Sequence, residues 1–288
     1  MTTLDIDLTD VAHGGSAVGR AEDGRVVFAR FGLPGERVRV QVTGQRSTLI
    51  RGDVVEVLSN PSEHRVDLAW PEAGPLGVGG ADLGHVAFDY QAEWKSHVLA
   101  TTLGRIGGRD LQGHFAERGL SPRVAALPGD AETSGWATRT RIEFVVGEDG
   151  RPAMYRDSSH ELIGVASFPL AVEEIGELDL FGGWRSWWRP GERVKALAPS
   201  GSDPALFIGG DSWWAPGEVV REDVVAGGEL YAYQVHAGGF WQVHRAAAAS
   251  LIELVMRGAN VQPGDRVVEL YSGAGLLTQP LAVATGEA

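Results

Sequence analysis

The sequence predicts a multidomain protein of mixed α+β and α/β class, and three stretches of the chain indicate this. Short alternating runs fill residues 1–60, a loop-rich α+β region covers 61–235, and an α/β domain begins within 236–288. With 288 residues and 43% hydrophobic content, the chain is long enough for two or three domains with cores of their own. These three ranges are the predicted domains.

The first sixty residues predict a small closed β-barrel. Runs with a two-residue period, typical of half-buried strands, lie at 4–8, 25–29, 37–42 and 53–58. Val38, Val40 and Val42 share one face of the third run, and clusters of turn-forming residues separate the runs. Four or five short strands at this spacing favour a closed barrel over an open sheet.

The central region predicts a helix and a strand pair. Apolar residues at helical spacing between Trp94 and Ile106 predict a helix that ends at the glycines 107–108. Residues 136–146 alternate with a period of two, which puts Arg139 and Arg141 on the face opposite Phe144, and 153–156 is the predicted antiparallel partner. A tryptophan-rich stretch follows, which is more typical of strand packing than of stacking on bases: Trp184, Trp187, Trp188, Trp213 and Trp214.

The last part of the chain predicts a strand, a tight glycine loop and a helix. The apolar run 266–270 is too short for a helix and follows the turn 263–265, which favours a buried strand. Gly273 and Gly275 then lack the Cβ atoms that would hold a ligand away from the backbone. A plain tight turn is the alternative interpretation, because glycine is common wherever a strand turns into a helix.

The surroundings of the two glycines narrow the class of ligand. A dinucleotide fingerprint needs a third glycine three residues later, where Thr278 stands, and a phosphate-binding P-loop needs a lysine that is not nearby. Nucleosides without phosphate remain, and S-adenosylmethionine (SAM) is the commonest of them.

A helix that ends near Gly258, with Val243, Leu251 and Leu254 on its apolar stripe, should pack against the predicted strand.

The composition and charge of the chain exclude several classes of protein. No apolar run approaches the roughly 20 residues that span a bilayer, and the acidic N-terminus is unlike a signal peptide, so we expect a cytoplasmic protein without membrane contact. With no cysteine, these residues hold neither a disulfide nor a thiolate-bound metal, and the eight histidines show no metal-ligand spacing. A net charge of −13 argues against nonspecific coating of nucleic acid but allows a local basic groove.

Two motifs resemble one known family. Residues 239–244, Gly-Phe-Trp-Gln-Val-His, and 269–277, Glu-Leu-Tyr-Ser-Gly-Ala-Gly-Leu-Leu, resemble in order and spacing the RNA (uracil-5-)-methyltransferases. In that family the matching glutamine and aromatic residue contact SAM, which implies that Gln242 and Tyr271 do so here. The family often has an asparagine at the position of Leu276, so one contact differs. The glycines 273 and 275 and Leu276 complete the predicted cofactor site.

The resemblance extends to the barrel and to RNA. Residues 13–20 and 32–38 look like a TRAM domain, an oligonucleotide-binding-type (OB-type) barrel that commonly precedes this methyltransferase family. An RNA-binding role would fall to Arg20, Arg37 and Arg39 on the barrel and, through the strand pair that helps cradle RNA in the family, to Arg139 and Arg141. For the barrel the alternative is a solvated face, since residues 1–60 contain eight acidic residues and seven arginines. For Arg139 and Arg141 the alternative is arginines exposed on an edge strand or paired with Glu143.

The resemblance also marks what the 288 residues lack. Many relatives bind an iron–sulfur cluster through cysteines at positions that here hold Val78, Ala81 and Phe168, so we expect packing to replace the cluster. The family adds a cysteine thiolate to uracil C6 before the methyl transfer, and no thiol is present. One helix and no further parallel strand follow the loop, so we expect these residues to be the beginning of a Rossmann-like methyltransferase domain. We therefore expect the chain to be part of a longer enzyme and to be inactive by itself.

The sequence thus predicts a SAM-dependent methyltransferase of uridine C5 in tRNA or rRNA, acting as a monomer, with no catalytic residue and no metal site in this chain. Two alternatives remain. One is a noncatalytic RNA-binding protein with a degenerate SAM loop, and the other is a SAM-dependent methyltransferase of a different acceptor.

Overall fold

The structure is a computed structural model that describes residues 2–182, 188–209, 211–212 and 219–286. The chain forms two compact units. The first comprises Met1–Ala126 and Tyr155–Ile163, and the second comprises Leu127–Met154 and Gly164–Ala288. The predicted boundaries at residues 60 and 235 therefore lie inside the first and second unit, respectively. No helix within the described ranges is long and apolar enough to cross a membrane.

The first unit begins with a closed five-stranded barrel. Its strands are β1 (Thr3–Ala12), β2 (Ser16–Arg20), β3 (Val26–Arg30), β4 (Arg37–Gln45) and β5 (Leu49–Ser59), arranged in the order β1-β2-β3-β5-β4. All neighbours are antiparallel except β3 and β5, which are parallel. The closed barrel predicted from the alternating runs is confirmed, and β2 provides the fifth strand.

The two-residue period explains the core of the barrel. Val38 and Val40 are fully buried on one face of β4, whereas Arg37 and Arg39, which alternate with them, face outward. Gly52 on β5 lies so close to β4 that a Cβ atom would collide with the carbonyl oxygen of Gln41. The barrel therefore closes around alternating valines and a glycine that lets two strands approach.

The rest of the first unit is a loop-rich segment and a long helix. The loop contains the short 3-10 helix Pro71–Ala73, and α1 (Phe88–Glu117) follows it. Gly108 has a φ of 64° and interrupts α1, which is the position where the sequence predicted the helix to end. The predicted helix is thus confirmed, and a second helical stretch follows the break.

The second unit contains strands in the order β11-β10-β9-β6-β7. They are β6 (Arg141–Val146), β7 (Pro152–Tyr155), β9 (Arg193–Leu197), β10 (Ala205–Ile208) and β11 (Asp211–Ser212), and two short helices are α2 (Asp130–Thr133) and α3 (Glu173–Gly176). β8 (Leu162–Gly164) follows β7 along the chain, and two of its three residues belong to the first unit. The predicted antiparallel pair β6 and β7 is confirmed, although β6 begins only at Arg141. Trp188 is buried in the core of this unit, while the other four tryptophans of the predicted group lie outside the described residues.

A hairpin and two helices complete the second unit. They are β12 (Val219–Ala226), β13 (Glu229–His236), α4 (Ala247–Ala259) and α5 (Thr278–Thr285). The helix predicted after residue 243 is confirmed as α4, but its buried face carries Ala248 and Ile252, while Leu254 is exposed. The predicted apolar stripe is therefore wrong, because α4 packs against β12 and α5 instead of a strand at 266–270.

The buried strand predicted over residues 266–270 is not observed. This segment pairs with no strand among the described residues, and both Val268 and Leu270 are exposed. A parallel strand becomes buried through neighbouring strands and their crossover helices, so an apolar run alone does not make one. The glycine loop and the helix predicted after it are present, and α5 begins at Thr278.

Candidate cofactor and RNA sites

Residues 271–277, the glycine loop, contain three left-handed backbone conformations. Tyr271, Gly273 and Gly275 have φ angles of 61°, 57° and 81°. The N–H of Gly275 donates to the carbonyl oxygen of Ser272 at 2.9 Å and closes the turn. A Cβ atom on Gly273 would come no nearer than 4.0 Å to its closest neighbour, the carbonyl oxygen of Tyr271. Backbone conformation therefore explains this glycine, and the space beside it is open.

The two halves of the glycine loop differ in exposure. Tyr271, Ser272 and Gly273 are exposed, whereas residues 274–277 are half-buried. Ala274, Leu276 and Leu277 pack against a hydrophobic cluster that includes residues of β12, β13 and α4. The loop thus has one open side and one side fixed to the core.

Tyr233 on β13 fixes the buried side of the glycine loop. Its side chain is 1% exposed, and its hydroxyl donates to the carbonyl oxygen of Leu276 at 2.9 Å. Burial, and then the nearby Tyr231 and Glu269 side chains, raises the pKa of Tyr233 to about 12. The hydroxyl is therefore protonated, and able to donate, at every physiological pH.

Polar contacts also tie the start of α5 to its surroundings. The hydroxyl of Thr278 donates to the carboxylate of Glu269 at 2.5 Å, which links the two sides of the glycine loop. The side-chain amide of Gln279 donates to the carbonyl oxygen of Ala232 on β13 at 2.8 Å. The first bond joins the two ends of the loop, and the second holds them to β13.

Residues 240–245, the Gln242 segment, lie beside the same hydrophobic cluster. Gln242 is half-buried, and Trp241 before it packs on Tyr233 with 5.1 Å between ring centroids. The N–H and the hydroxyl of Thr140 both donate to the carbonyl oxygen of Val243, at 2.7 and 3.2 Å. Both predicted cofactor motifs therefore contact one residue, Tyr233, although they are some thirty positions apart in sequence.

A histidine–aspartate pair holds the end of the Gln242 segment. Nδ1 of His244 accepts the N–H of Ala246 at 3.1 Å, so the ring proton is assigned to Nε2, which donates to Asp130 at 2.7 Å. The other carboxylate oxygen of Asp130 accepts the N–H of Leu127. The sequence alone predicts neither the His244–Asp130 pair nor the role of Tyr233, because the residues that bond each other are far apart along the chain.

The residues of the glycine loop fit an uncharged nucleoside such as the adenosine of SAM. Gly273 offers open backbone and the fully exposed ring of Tyr271 is available for stacking. Gln242 directly follows Trp241, which packs on the same Tyr233 that bonds the loop. Leu276 presents its carbonyl to Tyr233 and its side chain to the cluster, so an apolar residue is accommodated there.

Two of the three barrel arginines of the predicted RNA site, Arg37 and Arg39, are paired with acids. Arg37 bonds Asp7 at 2.8 Å, and Arg39 bonds Asp5 and Glu56 at 2.9 and 2.6 Å. The hydrogen bonds and charge of Arg39 lower the pKa of Asp5. Arg20 donates to the carbonyl oxygen of Gly24 at 3.2 Å. Exposed pairs of this kind are weak and can exchange the acid for a phosphate.

Arg139 and Arg141 occupy different environments from those the sequence predicts. Arg141 is 8% exposed and bonds Glu222 on β12 at 2.6 Å, while Ser200 donates to the second carboxylate oxygen. β6 lies between β9 and β7 and is therefore not an edge strand. The carboxylate of Glu143 pairs with Arg193 and Lys195 instead of Arg139 or Arg141. Arg139 is half-buried, with an Nε atom that has no partner within the described residues. Arg141 is therefore a buried structural arginine, because it forms an ion pair with Glu222, which is distant along the chain.

The positions that match cluster cysteines in relatives hold packed apolar side chains. Val78 and Ala81 are buried in the first unit, and Phe168 stacks on Phe144 in the second with 5.4 Å between centroids. In residues 2–182, 188–209, 211–212 and 219–286, no three potential metal ligands are grouped as a metal would require.

Comparisons with known proteins identify the N-terminal domain and the relatives. Residues 1–55 match the TRAM domain. The chain is 37% identical to an RNA methyltransferase of Bifidobacterium longum, over 92% of this chain and 64% of the relative. It is 33% identical to one of Streptomyces coelicolor and to one of Streptomyces avermitilis, in each case over 98% of this chain, and over 66% and 70% of those relatives. All three are uncharacterised, and the chain spans about two thirds of their length.

A solved structure shows a similar fold. The crystal structure of Pyrococcus abyssi tRNA (uracil-54, C5)-methyltransferase in complex with S-adenosyl-L-homocysteine matches with a TM-score of 0.60 at 16% identity, over 96% of this chain and 70% of that one. At this identity the likeness concerns the fold alone. Together with the TRAM match and the relatives of 33–37% identity, the paired motifs around Gln242 and Gly273 place the chain in a family: it belongs to the TRAM-containing RNA (uracil-5-)-methyltransferases.

Proposed function

We propose that the protein is the RNA-binding and cofactor-binding part of a SAM-dependent methyltransferase that modifies uridine C5 in tRNA or rRNA. One observation carries the proposal: Tyr233 contacts both the buried side of the glycine loop, at Leu276, and the Gln242 segment, at Trp241, while the other side of the loop stays open. The SAM-derived ligand in the solved structure of similar fold supports the choice of cofactor.

Each cofactor-site residue has a distinct part in this proposal. Tyr271 stacks on the adenine, the exposed backbone at Gly273 and the tight turn at Gly275 let the nucleoside approach, and Gln242 supplies a polar contact. Leu276 closes the buried side. When bound, SAM supplies an electrophilic methyl group; these residues bind and orient it. None of the 288 residues is a cysteine, so they supply no thiol for attack on uracil C6, and we expect binding without turnover from this chain alone.

The RNA surface of the proposal lies on the barrel. Arg20 and Arg37 are exposed and the side chain of Arg39 is 40% exposed, so the three would position the phosphate backbone without reading bases. Arg139 is a further candidate, and Arg141 is not included because Glu222 captures it. A single-stranded or loop region of RNA suits such a surface.

Calorimetric titration with S-adenosylhomocysteine (SAH), the demethylated product of SAM, tests the cofactor site. Gly273→Ala should abolish or strongly weaken binding, because it adds a side chain to the ligand face. Gly227→Ala is the matched control, since Gly227 has a similar φ of 60° and equally open space in the β12–β13 turn. Equal SAH affinity in both variants would contradict the proposed seat.

The acceptor is tested by nucleoside mass spectrometry. Deleting the gene in the source cells should remove 5-methyluridine from tRNA or from rRNA, and reintroducing the gene should restore it. A protein that binds SAH while 5-methyluridine persists in both RNA classes would act on a different acceptor.

A further inference from the structure

Tyr233 contacts both segments of the proposed cofactor site without facing the ligand. Its ring packs on Trp241, which directly precedes Gln242, and its hydroxyl bonds the carbonyl of Leu276, which directly follows Gly275. The side chain is fully buried, whereas Tyr271 to Gly273 are exposed. A single side chain thus connects two segments that must be aligned for one ligand to reach both.

We propose that Tyr233 is a positioning residue for SAM, which holds the glycine loop in its binding conformation through the Leu276 carbonyl and aligns it with Gln242 through Trp241. This inference rests on the proposed function. The left-handed conformation of Tyr271 is unfavourable for a residue with a Cβ atom, and Gly273 and Gly275 lose much conformational freedom when the loop becomes ordered. An anchor at the buried end of the loop therefore lowers the cost of ordering it on binding.

The chemistry of the phenol suits this role. Burial first, and then Tyr231 and Glu269, raises the pKa of Tyr233 to about 12, so the hydroxyl remains a donor over the physiological range. Nearby bonds from Thr278 to Glu269 and from Gln279 to Ala232 hold the other side of the loop, so the Leu276 bond completes the attachment.

The experiment compares Tyr233→Phe with wild type and with Tyr231→Phe, which removes a hydroxyl two residues earlier on the same strand. Tyr233→Phe keeps the ring on Trp241 and removes only the bond to Leu276. We expect its SAH affinity to fall about tenfold, the scale of one hydrogen bond, while Tyr231→Phe changes it less than about twofold. Amide hydrogen exchange at residues 275–277 should be faster in Tyr233→Phe, and RNA affinity should not change.

Each outcome decides a different question. If wild type and Tyr233→Phe bind SAH equally, Tyr233 is not the positioning residue, and the proposed function stands. If wild type does not bind SAH, the proposed function falls together with this inference. If circular dichroism shows that Tyr233→Phe does not fold, amide hydrogen exchange of the wild-type protein without ligand decides the question. Slow exchange at residues 275–277 would support the positioning role of Tyr233, and exchange at the rate of an unstructured chain would overturn it.

Discussion

The guanidinium of Arg30 bonds both carboxylate oxygens of Asp53 at 2.8 Å, and Asp53 is 1% exposed. Arg30 also bonds Asp157 at 2.6 Å, and Asp53 accepts the N–H of Leu76. Asp53 therefore joins the barrel to the loop that contains Val78 and Ala81, and Arg30 joins the barrel to Asp157. An ion-pair network and the packing of Val78 and Ala81 stabilise this region.

Replacing Arg30 should destabilise the first unit strongly. Arg30→Met leaves the carboxylate of Asp53 buried without its partner, which costs about 3–5 kcal/mol of unfolding free energy. Asp157→Asn, at a half-exposed position, should cost less than about 1 kcal/mol. Urea denaturation followed by circular dichroism measures both. Equal, small effects of the two substitutions would show that the Arg30–Asp53 pair is not structural.

Arg141 should behave as a structural residue and not as an RNA contact. Arg141→Met leaves Glu222 buried and unpaired, so we expect a loss of about 3–5 kcal/mol in stability. The RNA affinity of the folded fraction should stay within about twofold of wild type, since a buried guanidinium makes no phosphate contact. Filter binding at a temperature where the variant is folded measures this. A large drop in RNA affinity with unchanged stability would restore Arg141 as an RNA-binding residue.

His85 should make the protein less stable as pH falls below neutrality. Burial, and then the charge of Arg65, lowers the pKa of His85 to about 4, while the carbonyl of Gly32 and the carboxylate of Glu36 act in the opposite direction. Between pH 6.5 and about 4 the unfolded chain binds a proton that folded His85 does not, so its contribution is complete above pH 6.5 and is lost as pH falls.

Denaturation at about pH 7, 6 and 5 tests this dependence. The slope of unfolding free energy against pH should be smaller in His85→Leu than in wild type, and unchanged in a control at the exposed His160. Identical slopes in wild type and His85→Leu would refute the role of His85.

The acid-paired barrel arginines should contribute to RNA affinity through charge. In Arg37→Ala/Arg39→Ala, binding should weaken about tenfold, and the slope of log affinity against log salt should shrink by roughly 0.7–0.9 for each phosphate that the variant no longer neutralises. Asp5→Asn/Asp7→Asn should strengthen binding because it releases Arg37 and leaves Arg39 with Glu56 as its one acid partner. Arg221→Ala, which removes another exposed, acid-paired arginine, is the control. RNA affinity that does not respond to either double variant would place the RNA surface elsewhere.

The sequence predicts best what depends on neighbours along the chain. The valine alternation of β4 and the break of α1 at Gly108 follow from local conformation, and both are observed. The segment at 266–270 has the local pattern of a buried strand, but burial requires neighbouring strands that no described residue provides. The predicted face of α4 is wrong for the same reason, since its packing partner determines which side is buried.

Interactions between distant positions account for the rest. Arg141 and Glu222 are 81 residues apart, and Tyr233 and Leu276 are 43 apart, so no short motif joins either pair. The motifs at Gln242 and Gly273 could be found from resemblance because each is contiguous. The side chain that connects them could not, because a tyrosine on an alternating strand resembles any core residue.

The most direct test of the glycine loop as a nucleoside seat is photo-crosslinking of radiolabelled SAM to the protein, followed by tryptic digestion. We expect label on the peptide after Arg266, which contains Tyr271, with competition by excess unlabelled SAH. Label confined to peptides of residues 1–126, or label that excess SAH does not reduce, would contradict a nucleoside seat at the glycine loop.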